Sequence, residues 1–425
     1  MTHKTLVMTL AFASAIVLSA PFLLGQSTAV APPLRLINAN VVNVRDGRVQ
    51  RGVTISISGG KITSIAAGGS NADGARVLDL MGKYVVPGLI DAHTHAADFA
   101  EFKRALESGV TTVRSAGVSN FADVGFRQLV RDGVVAGPDV VAAGYHVRPQ
   151  MAREAFLGDP KYADLMAGVT TIERLRRAVQ LNLSHSVDWI KVLATDRAGT
   201  ADTDPRKQLY TEDELRAVVQ EAATRNAPVL AHAHGDEGAM AAVRAGVRSI
   251  EHGTYLSDAT LQLMKERGTY FDPTFTTVID LSEPGGDYDD PALQIRGAHM
   301  LPRLRDVIAR AHKLGIKIVT GTDTSYGPKS VTRVAQEAAH FVEMGFTPLE
   351  ALQSATLVNA ELLRLDRSVG SVETGFEADL VAVELNPLEN IVTLQDPLLV
   401  VSNGRIGLDR LNFGKTPGSA PRSPY

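Results

Sequence analysis

The sequence of 425 residues contains no cysteine and no long run of basic residues. The absence of cysteine excludes a disulfide framework and a lipid-modified cysteine. The formal net charge is -4 at pH 7, and a chain with this charge has no electrostatic footprint for nucleic acid or for anionic lipid. The composition therefore favours chemistry on a small molecule over binding to nucleic acid or to a membrane surface.

One long apolar stretch is present, over residues 5–25, with Lys4 ahead of it and the small residues 29–31 behind it. This pattern is typical of a secretory signal peptide, which we place at residues 1–31 without fixing the cleaved bond. The alternative is an uncleaved anchor, since about 20 apolar residues can span a bilayer; Pro21 favours cleavage. We expect a periplasmic or secreted protein with no stable membrane partner once the signal is removed.

The middle of the chain, residues 86–365, alternates apolar strands with amphipathic helices. Strands are predicted at residues 89–95, 111–115, 140–144, 189–193, 229–232, 249–252, 270–273 and 318–323, and clear helices at 212–225, 237–245, 301–314 and 331–344. Eight βα units predict a TIM barrel, whose active site lies at the C-terminal ends of its strands. The long connections 146–169 and 274–300 are candidate lids on that face.

Both ends of the chain show a second pattern, in which short alternating strands are separated by glycine-rich turns. Such strands are predicted at residues 34–44, 53–58, 61–66, 77–80, 370–373, 379–384 and 398–406. They indicate one small β-sandwich built from residues 32–85 and 366–415. The predicted fold class is therefore α/β, a TIM barrel with a composite β-sandwich.

Side chains of the kind that bind metals lie at five of the predicted barrel strand ends. His93 and His95 are two apart on a strand, so they project from the same face. The others are Lys191, His232, His234, His252 and Asp323. Each one alone has an ordinary structural explanation, such as a histidine bonded to a backbone carbonyl. Their joint occurrence at the ends of strands one, four, five, six and eight indicates a metal-dependent active site.

The motif Pro87-Gly88-Leu89-Ile90-Asp91, followed by His93 and His95 and later by Lys191, His232, His252 and Asp323, resembles the amidohydrolase superfamily. The segment 375–381 resembles that family's returning β segment, so the resemblance covers nearly the whole mature chain. Ala231-His232-Ala233-His234-Gly235 and Ile250-Glu251-His252-Gly253 are similar to the imidazolonepropionase-like branch, which includes prolidase-type dipeptidases and ochratoxin-type amidases.

The resemblance implies a centre of two divalent metal ions, for which we expect zinc. His93, His95 and Asp323 would hold one ion and His232 and His252 the other, with Lys191 carboxylated by carbon dioxide as the bridging ligand. The implied activity is hydrolysis of an amide or peptide bond by a metal-activated water, in an N-acyl amino acid, an Xaa-Pro-like dipeptide or an ochratoxin-like compound. Asp323 would take the proton of the water and deliver it to the leaving amine.

His234 points the same way as His232, so one of the two is a ligand and the other contacts substrate. The family pattern of a histidine followed by alanine assigns the ligand to His232 and a catalytic contact to His234. Deaminases of the superfamily place a glutamate three residues after the fifth-strand histidine, where this chain has Gly235. Glu237, three residues after His234, keeps that alternative open.

Candidate substrate-binding residues follow the predicted strand ends, and these are Tyr145, His146, Arg148, Arg197 and Tyr255. A guanidinium grips a carboxylate through two parallel hydrogen bonds, so we expect a small-molecule substrate with a free carboxylate. The alternative for each arginine is a solvated side chain paired with a nearby acid.

Two rival functions remain at this stage. The same metal centre would serve a lactonase or phosphotriesterase, since an activated hydroxide also attacks esters and phosphates. A non-enzymatic exported binding protein is the other rival, and it is disfavoured because a binder has no need of Asp323 as a proton carrier. A homo-oligomer is compatible with either enzymatic function.

Overall fold

The computed structural model describes residues 32–68 and 74–411. The strands in these residues are β1 (Leu34–Val42), β2 (Val49–Ser58), β3 (Lys61–Ala67), β4 (Arg76–Asp79), β5 (Tyr84–Pro87), β6 (Leu89–Thr94), β7 (Val110–Ser115), β8 (Asp139–Val141), β9 (Ile190–Leu193), β10 (Val229–Ala233), β11 (Ser249–His252), β12 (Tyr270–Asp272), β13 (Leu380–Val383), β14 (Leu399–Ser402) and β15 (Arg405–Asp409). The predicted signal peptide, residues 1–31, lies outside the described residues.

The α-helices of the same residues are α1 (Phe99–Glu107), α2 (Ala122–Arg131), α3 (Glu154–Leu157), α4 (Ile172–Ser184), α5 (Glu212–Ala223), α6 (Asp236–Ala245), α7 (Asp258–Arg267), α8 (Phe275–Ser282), α9 (Pro291–Leu314), α10 (Val334–Glu343), α11 (Pro348–Ser354) and α12 (Leu357–Leu363). Short 3-10 helices cover Ser119–Phe121, Pro160–Ala167 and Ile391–Gln395. Among the helices described here, none is both long enough and apolar enough to cross a membrane.

Two parallel sheets occupy the middle of the chain. One contains β6, β7 and β8, and the other contains β9, β10, β11 and β12, each in chain order. Every residue of β9, β10, β11 and β12 is buried, as expected for a parallel sheet covered on both faces. Isolated parallel bridges join further segments to these sheets, between Val147 and Val192, Phe271 and Ile318, and Thr94 and Thr324. The predicted α/β class is confirmed.

The eighth predicted strand, residues 318–323, is an irregular segment and not a regular strand. It is bonded on both sides, because Val319 donates to the carbonyl of Phe271 and Ala92 donates to the carbonyl of Thr320. The N–H of Thr320, however, donates to Ser354 at 3.3 Å, and Asp323 has a φ of 47°. The segment stays bonded to β6 at Asp323, whose N–H donates to the carbonyl of His93 at 2.7 Å, but its backbone is not that of a regular strand.

The terminal segments form one mixed sheet of eight strands, in the order β15-β14-β13-β5-β1-β2-β3 with β4 beside β1. The prediction of a sandwich of two sheets differs from this, because β5 pairs with β1 on one side and with β13 on the other. One apolar cluster contains side chains from both chain ends, including Leu36, Ile55, Leu380 and Val401. The predicted strand at residues 370–373 is irregular in the structure.

The two predicted long connections contain helices. The first contains α3 and the 3-10 helix Pro160–Ala167, and the second contains α8 and the first turns of α9. The helix predicted at residues 301–314 begins ten residues earlier, at Pro291, where the side chain of Asp290 accepts the N–H of Ala292. Pro302 lies inside α9, although a proline usually marks the first turn of a helix.

Candidate metal centre

The predicted ligands come together at the carboxyl ends of the parallel strands and line one cavity. These residues are His93, His95, Lys191, His232, His234, His252 and Asp323. His93, Lys191, His232 and His252 lie within β6, β9, β10 and β11. The parallel strands therefore bring His93 and His252, which are 159 positions apart, to within 5.0 Å between ring centroids.

The carboxylate of Asp323 lies among three imidazoles. Its Oδ1 is 3.3 Å from Nε2 of His93 and 3.0 Å from Nε2 of His95, and its Oδ2 is 4.0 Å from Nδ1 of His252. Burial disfavours the charged carboxylate, but the contacts with His93 and His95 outweigh it and hold the pKa of Asp323 well below its ordinary value. Asp323 is therefore an anion in the centre of the histidine cluster.

The second group of donors consists of His232, His234 and His252, whose nearest donor atoms lie within 4.8 Å of one another. The ring centroids of His232 and His252 are 4.5 Å apart, and those of His234 and His252 are 4.6 Å apart. His234 is thus placed as close to His252 as His232 is. The choice between His232 and His234 as the ligand stays a prediction.

Each of these imidazoles has one nitrogen engaged by a neutral oxygen. Nε2 of His232 is 3.0 Å from the carbonyl of Asp196, and Nδ1 of His234 is 2.9 Å from the hydroxyl of Thr254. Nδ1 of His252 is 2.7 Å from the hydroxyl of Thr274. The opposite ring nitrogen of each histidine therefore remains available as a ligand.

Burial sets the protonation of the cluster. It lowers the pKa of His95, His232 and His252 and brings that of His234 to about 3, because a buried imidazolium is poorly solvated. These histidines are consequently neutral near pH 7, which is the form that donates a lone pair to a metal.

Lys191 lies inside the same cavity and is 2% exposed. Its Nζ is 3.4 Å from Nε2 of His93. Burial lowers the pKa of Lys191 to about 8, against the opposing charges of Glu251 and Asp323. At a given pH, Lys191 is therefore a neutral amine in a larger fraction of the molecules than an exposed lysine is.

The donor set fits divalent metal ions. Neutral imidazole nitrogens together with a carboxylate oxygen are ligands that zinc and related ions prefer. Two groups of cavity residues have donor atoms within 4.8 Å of one another, the group of His232, His234 and His252 and the group of His93, His252 and Asp323.

The predicted substrate residues divide into two sets. His146, Arg148 and Arg197 line the cavity beside the histidines. Tyr145 does not, because its ring packs against Phe121 in the core and its hydroxyl accepts the N–H of Asn120 at 2.7 Å. The side chain of Tyr255 does not line the cavity either, since its ring lies beside His299, with 6.3 Å between centroids.

The two cavity arginines lack an acidic partner among the described residues, since neither Arg148 nor Arg197 forms an ion pair with a carboxylate there. Burial, followed by the charge of Arg197, lowers the pKa of Arg148, and both guanidinium groups line the same cavity. The cavity mouth is therefore an electropositive site suited to an anion.

Two residues of the site were not assigned from the sequence. Tyr288 lines the cavity and packs on Gly199, where an added Cβ would lie 2.4 Å from its ring. The charge of Asp323, followed by burial, raises the pKa of Tyr288. Tyr288 lies between α8 and α9 and belongs to no sequence motif that would have predicted its position. Glu251 lies 2.8 Å from His93, and its place beside His252 on a buried strand was a signal from which its role could have been predicted.

A protein-family model described as the amidohydrolase family matches residues 84–407. The chain belongs to the amidohydrolase family. It is accordingly a hydrolase that acts on carbon–nitrogen bonds, as predicted from its motifs.

Relatives with described activities support the predicted branch of the family. Ochratoxinase from Aspergillus niger is 29% identical to this amidohydrolase over 394 residues, which cover 80% of this chain and 78% of the relative. The crystal structure of a Xaa-Pro dipeptidase with methionine bound in its active site is 28% identical, with a TM-score of 0.78 over 88% of this chain and 99% of that one. A prolidase in complex with N-methylphosphonate-L-proline is 27% identical, with a TM-score of 0.76 over 88% and 99% of the two chains.

Proposed function

We propose that this amidohydrolase is an exported enzyme with two metal ions that hydrolyses the amide bond of an N-acyl or N-aminoacyl amino acid. The observation that carries the substrate class is the pair of guanidinium groups of Arg148 and Arg197, which line the cavity beside the histidines and have no acidic partner among the described residues. Methionine and N-methylphosphonate-L-proline, the ligands of the two similar peptidase structures, are an amino acid and an amino-acid derivative.

Bound divalent ions, for which we expect zinc, would supply an activated hydroxide and polarise the substrate carbonyl. His93, His95 and Asp323 would hold one ion, and His252 with His232 would hold the other. Lys191 would contribute the anionic bridge after its Nζ attacks carbon dioxide and loses a proton to form a carbamate. Its burial beside His93 supports this assignment.

The remaining residues have roles that follow from their positions. Asp323 is the acceptor for the proton of the attacking water, and it later returns that proton to the leaving amine. Arg148 and Arg197 bind the carboxylate of the substrate and so fix the amide bond over the histidines. His234, which lies within the histidine cluster, is placed to hydrogen-bond the substrate.

The substrate class is tested by comparing each N-acyl amino acid with its C-terminal amide. Loss of the carboxylate should lower kcat/KM at least about tenfold, because a charged pair worth more than about 1.4 kcal/mol is lost. Arg148→Met or Arg197→Met should remove this preference, whereas Arg153→Met should keep it, since Arg153 is exposed in the same connection and does not line the cavity. Equal rates on acids and amides in the wild-type enzyme would defeat the proposal and favour a neutral substrate such as a lactone.

We further propose that residues 86–365 form a closed eight-stranded barrel and that residues 32–85 and 366–415 form a separate β unit. The parallel bridges between Val147 and Val192, Phe271 and Ile318, and Thr94 and Thr324 support closure. They connect the two parallel sheets to each other and to the segment that carries Asp323.

Export is proposed from the apolar stretch at residues 5–25, with Lys4 ahead of it and the small residues 29–31 behind it. Mass spectrometry of the protein from the periplasm or the medium should show that this stretch has been removed. Recovery of the intact chain only from the membrane fraction would contradict the proposal.

A further inference from the structure

A network of buried charges lies next to the histidine cluster, inside the parallel strands. Arg114 of β7, Glu251 of β11 and Asp272 of β12 are all fully buried. Nη2 of Arg114 donates to Glu251 at 2.7 Å and lies 3.5 Å from Asp272. Burying three ionisable groups is costly unless each of them is paired or hydrogen-bonded.

Both oxygens of Glu251 are engaged. Its Oε2 accepts from Arg114 and lies 2.8 Å from Nδ1 of His93, and its Oε1 accepts the hydroxyl of Ser249. Because Arg114 holds Oε2 as an acceptor, the proton between Glu251 and His93 belongs to Nδ1 of the imidazole. Nε2 of His93 is then the ring nitrogen that points away from Glu251.

Nε2 of His93 faces the cavity. It lies 3.3 Å from Oδ1 of Asp323 and 3.4 Å from Nζ of Lys191. Three other histidines of the cluster bond Nδ1 to neutral oxygens, which are the carbonyl of Gly117 for His95 and threonine hydroxyls for His234 and His252. His93 therefore differs from these three in having an ionised acid behind it.

We propose that Glu251 is a positioning residue that keeps a proton of His93 on Nδ1 and turns Nε2 into the cavity, and that Arg114 holds Glu251 in place. The role of His93 as a metal ligand rests on the proposed function. A carboxylate behind a histidine ligand fixes the orientation of the ring and raises its basicity.

Arg114 is itself fixed along its length. Its Nε donates to the carbonyl of Ala92 at 2.5 Å and its Nη1 to the hydroxyl of Ser249 at 3.0 Å. Its guanidinium lies 4.8 Å from the ring centroid of Trp189, the single tryptophan of the chain. Arg114 thus connects β6, β7 and β11 beneath the candidate metal centre, and Trp189 fluorescence reports on its surroundings.

The first test is the tautomer of His93 in the metal-free full-length protein. Nitrogen-15 NMR of the histidine side chains, with the His93 signals assigned by their loss in His93→Asn, should show a proton on Nδ1. An unprotonated Nδ1 would overturn the inference. This measurement needs no metal and no turnover, so it stands even if the proposed hydrolysis is wrong.

The second test replaces Glu251 and Arg114 together, by Glu251→Leu with Arg114→Met, because removing Glu251 alone would leave a buried unpaired cation. Metal affinity, measured by competition with a chelator, should fall about 10- to 100-fold, and the His93 ring should gain the Nε2-protonated tautomer. Trp189 fluorescence and circular dichroism show whether the variant is folded. If it does not fold, the tautomer of the wild-type protein decides alone.

Glu337→Gln is the matched control. Glu337 is also fully buried, but its carboxylate accepts the backbone N–H groups of Phe275 and Thr276 and does not contact a histidine of the cluster. We expect this variant to lose stability and keep the metal affinity and the His93 tautomer. Unchanged metal affinity in the Glu251→Leu and Arg114→Met variant would overturn the inference.

Discussion

At the residue scale, the chemistry of this amidohydrolase depends on how burial and neighbouring side chains set the protonation state of each ionisable group in the cavity. His232 and His252 are neutral because burial lowers their pKa values, whereas Asp323 stays ionised through its contacts with His93 and His95. Lys191 is buried among them. A cavity with many lone-pair donors and a buried lysine is consistent with the proposed metal centre and its carbamate bridge.

Lys191→Ala tests the proposed bridge. Without the carbamate, the two ions lose their shared anionic ligand, so the purified variant should contain less metal and hydrolyse substrate more slowly. A short carboxylic acid in the buffer should restore part of the rate by occupying the vacated position. A variant with wild-type turnover and a full metal complement would show that Lys191 is only a structural residue.

Asp323→Asn tests the proton carrier. The amide has nearly the same size and hydrogen bonding, but it cannot accept the proton of the water. We expect kcat to fall about 10² to 10⁴-fold, the usual contribution of general acid–base catalysis. If kcat is retained, another residue accepts the proton of the water. His234 is the first candidate, and kcat of His234→Gln would then test it.

Sequence patterns predicted the positions of cavity residues that lie at a strand end. They did not predict the positions of all the residues in the loops that follow the strands. His93, Lys191 and His252 are placed by strand geometry, so their convergence could be predicted. Tyr145 was wrongly placed in the site because the chain after β8 directs that ring to Phe121 in the core. Tyr288 reaches the cavity through the packing between its ring and Gly199, which no local pattern encodes.

At the scale of elements, the passage from β5 to β6 places the first histidine pair. Gly88 separates these strands, and its N–H donates to the carbonyl of Asp379 at 2.8 Å. A Cβ at Gly88 would lie 2.0 Å from the hydroxyl oxygen and 2.7 Å from the Cβ of Thr111 in β7. The close approach of the Gly88 backbone to the side chain of Thr111 therefore requires glycine.

Gly88→Ala should lower the free energy of unfolding by about 1–3 kcal/mol, the usual cost of overpacking a buried contact. Combining it with Thr111→Gly should recover part of that loss, and the recovery is read from a double-mutant cycle of denaturant unfolding. Gly125→Ala is the control, since nothing lies within 4 Å of a Cβ there and the residue is in α2. We expect the control to be neutral or stabilising, and equal destabilisation by both substitutions would contradict the account.

The elements that the sequence predicted well include the short buried strands of the two parallel sheets. β11 has the predicted bounds, and β6, β9, β10 and β12 differ from prediction by one residue. The eighth strand was predicted as regular, but its backbone bends to bring Asp323 into the cluster. Pairing between the chain ends through β5 also depends on contacts between distant residues, so the single mixed sheet could not be read from local patterns.

At the scale of the whole molecule, one family domain spans the parallel strands and most of the C-terminal strands, since the family model covers residues 84–407. The terminal sheet meets the parallel strands at Gly88 and Asp379, whereas the candidate ligands lie at or just beyond the carboxyl ends of those strands. The residues that join the terminal sheet to the parallel strands therefore lie apart from the candidate metal ligands.

The most direct test of the central claim measures metal content and hydrolysis on the same sample. After chelation and removal of the chelator, the chain should hold no metal and should not hydrolyse an N-acyl amino acid. Adding zinc, cobalt or manganese should restore the rate in proportion to the ions bound, up to about two per chain. Full activity in protein shown to contain no metal would contradict the account.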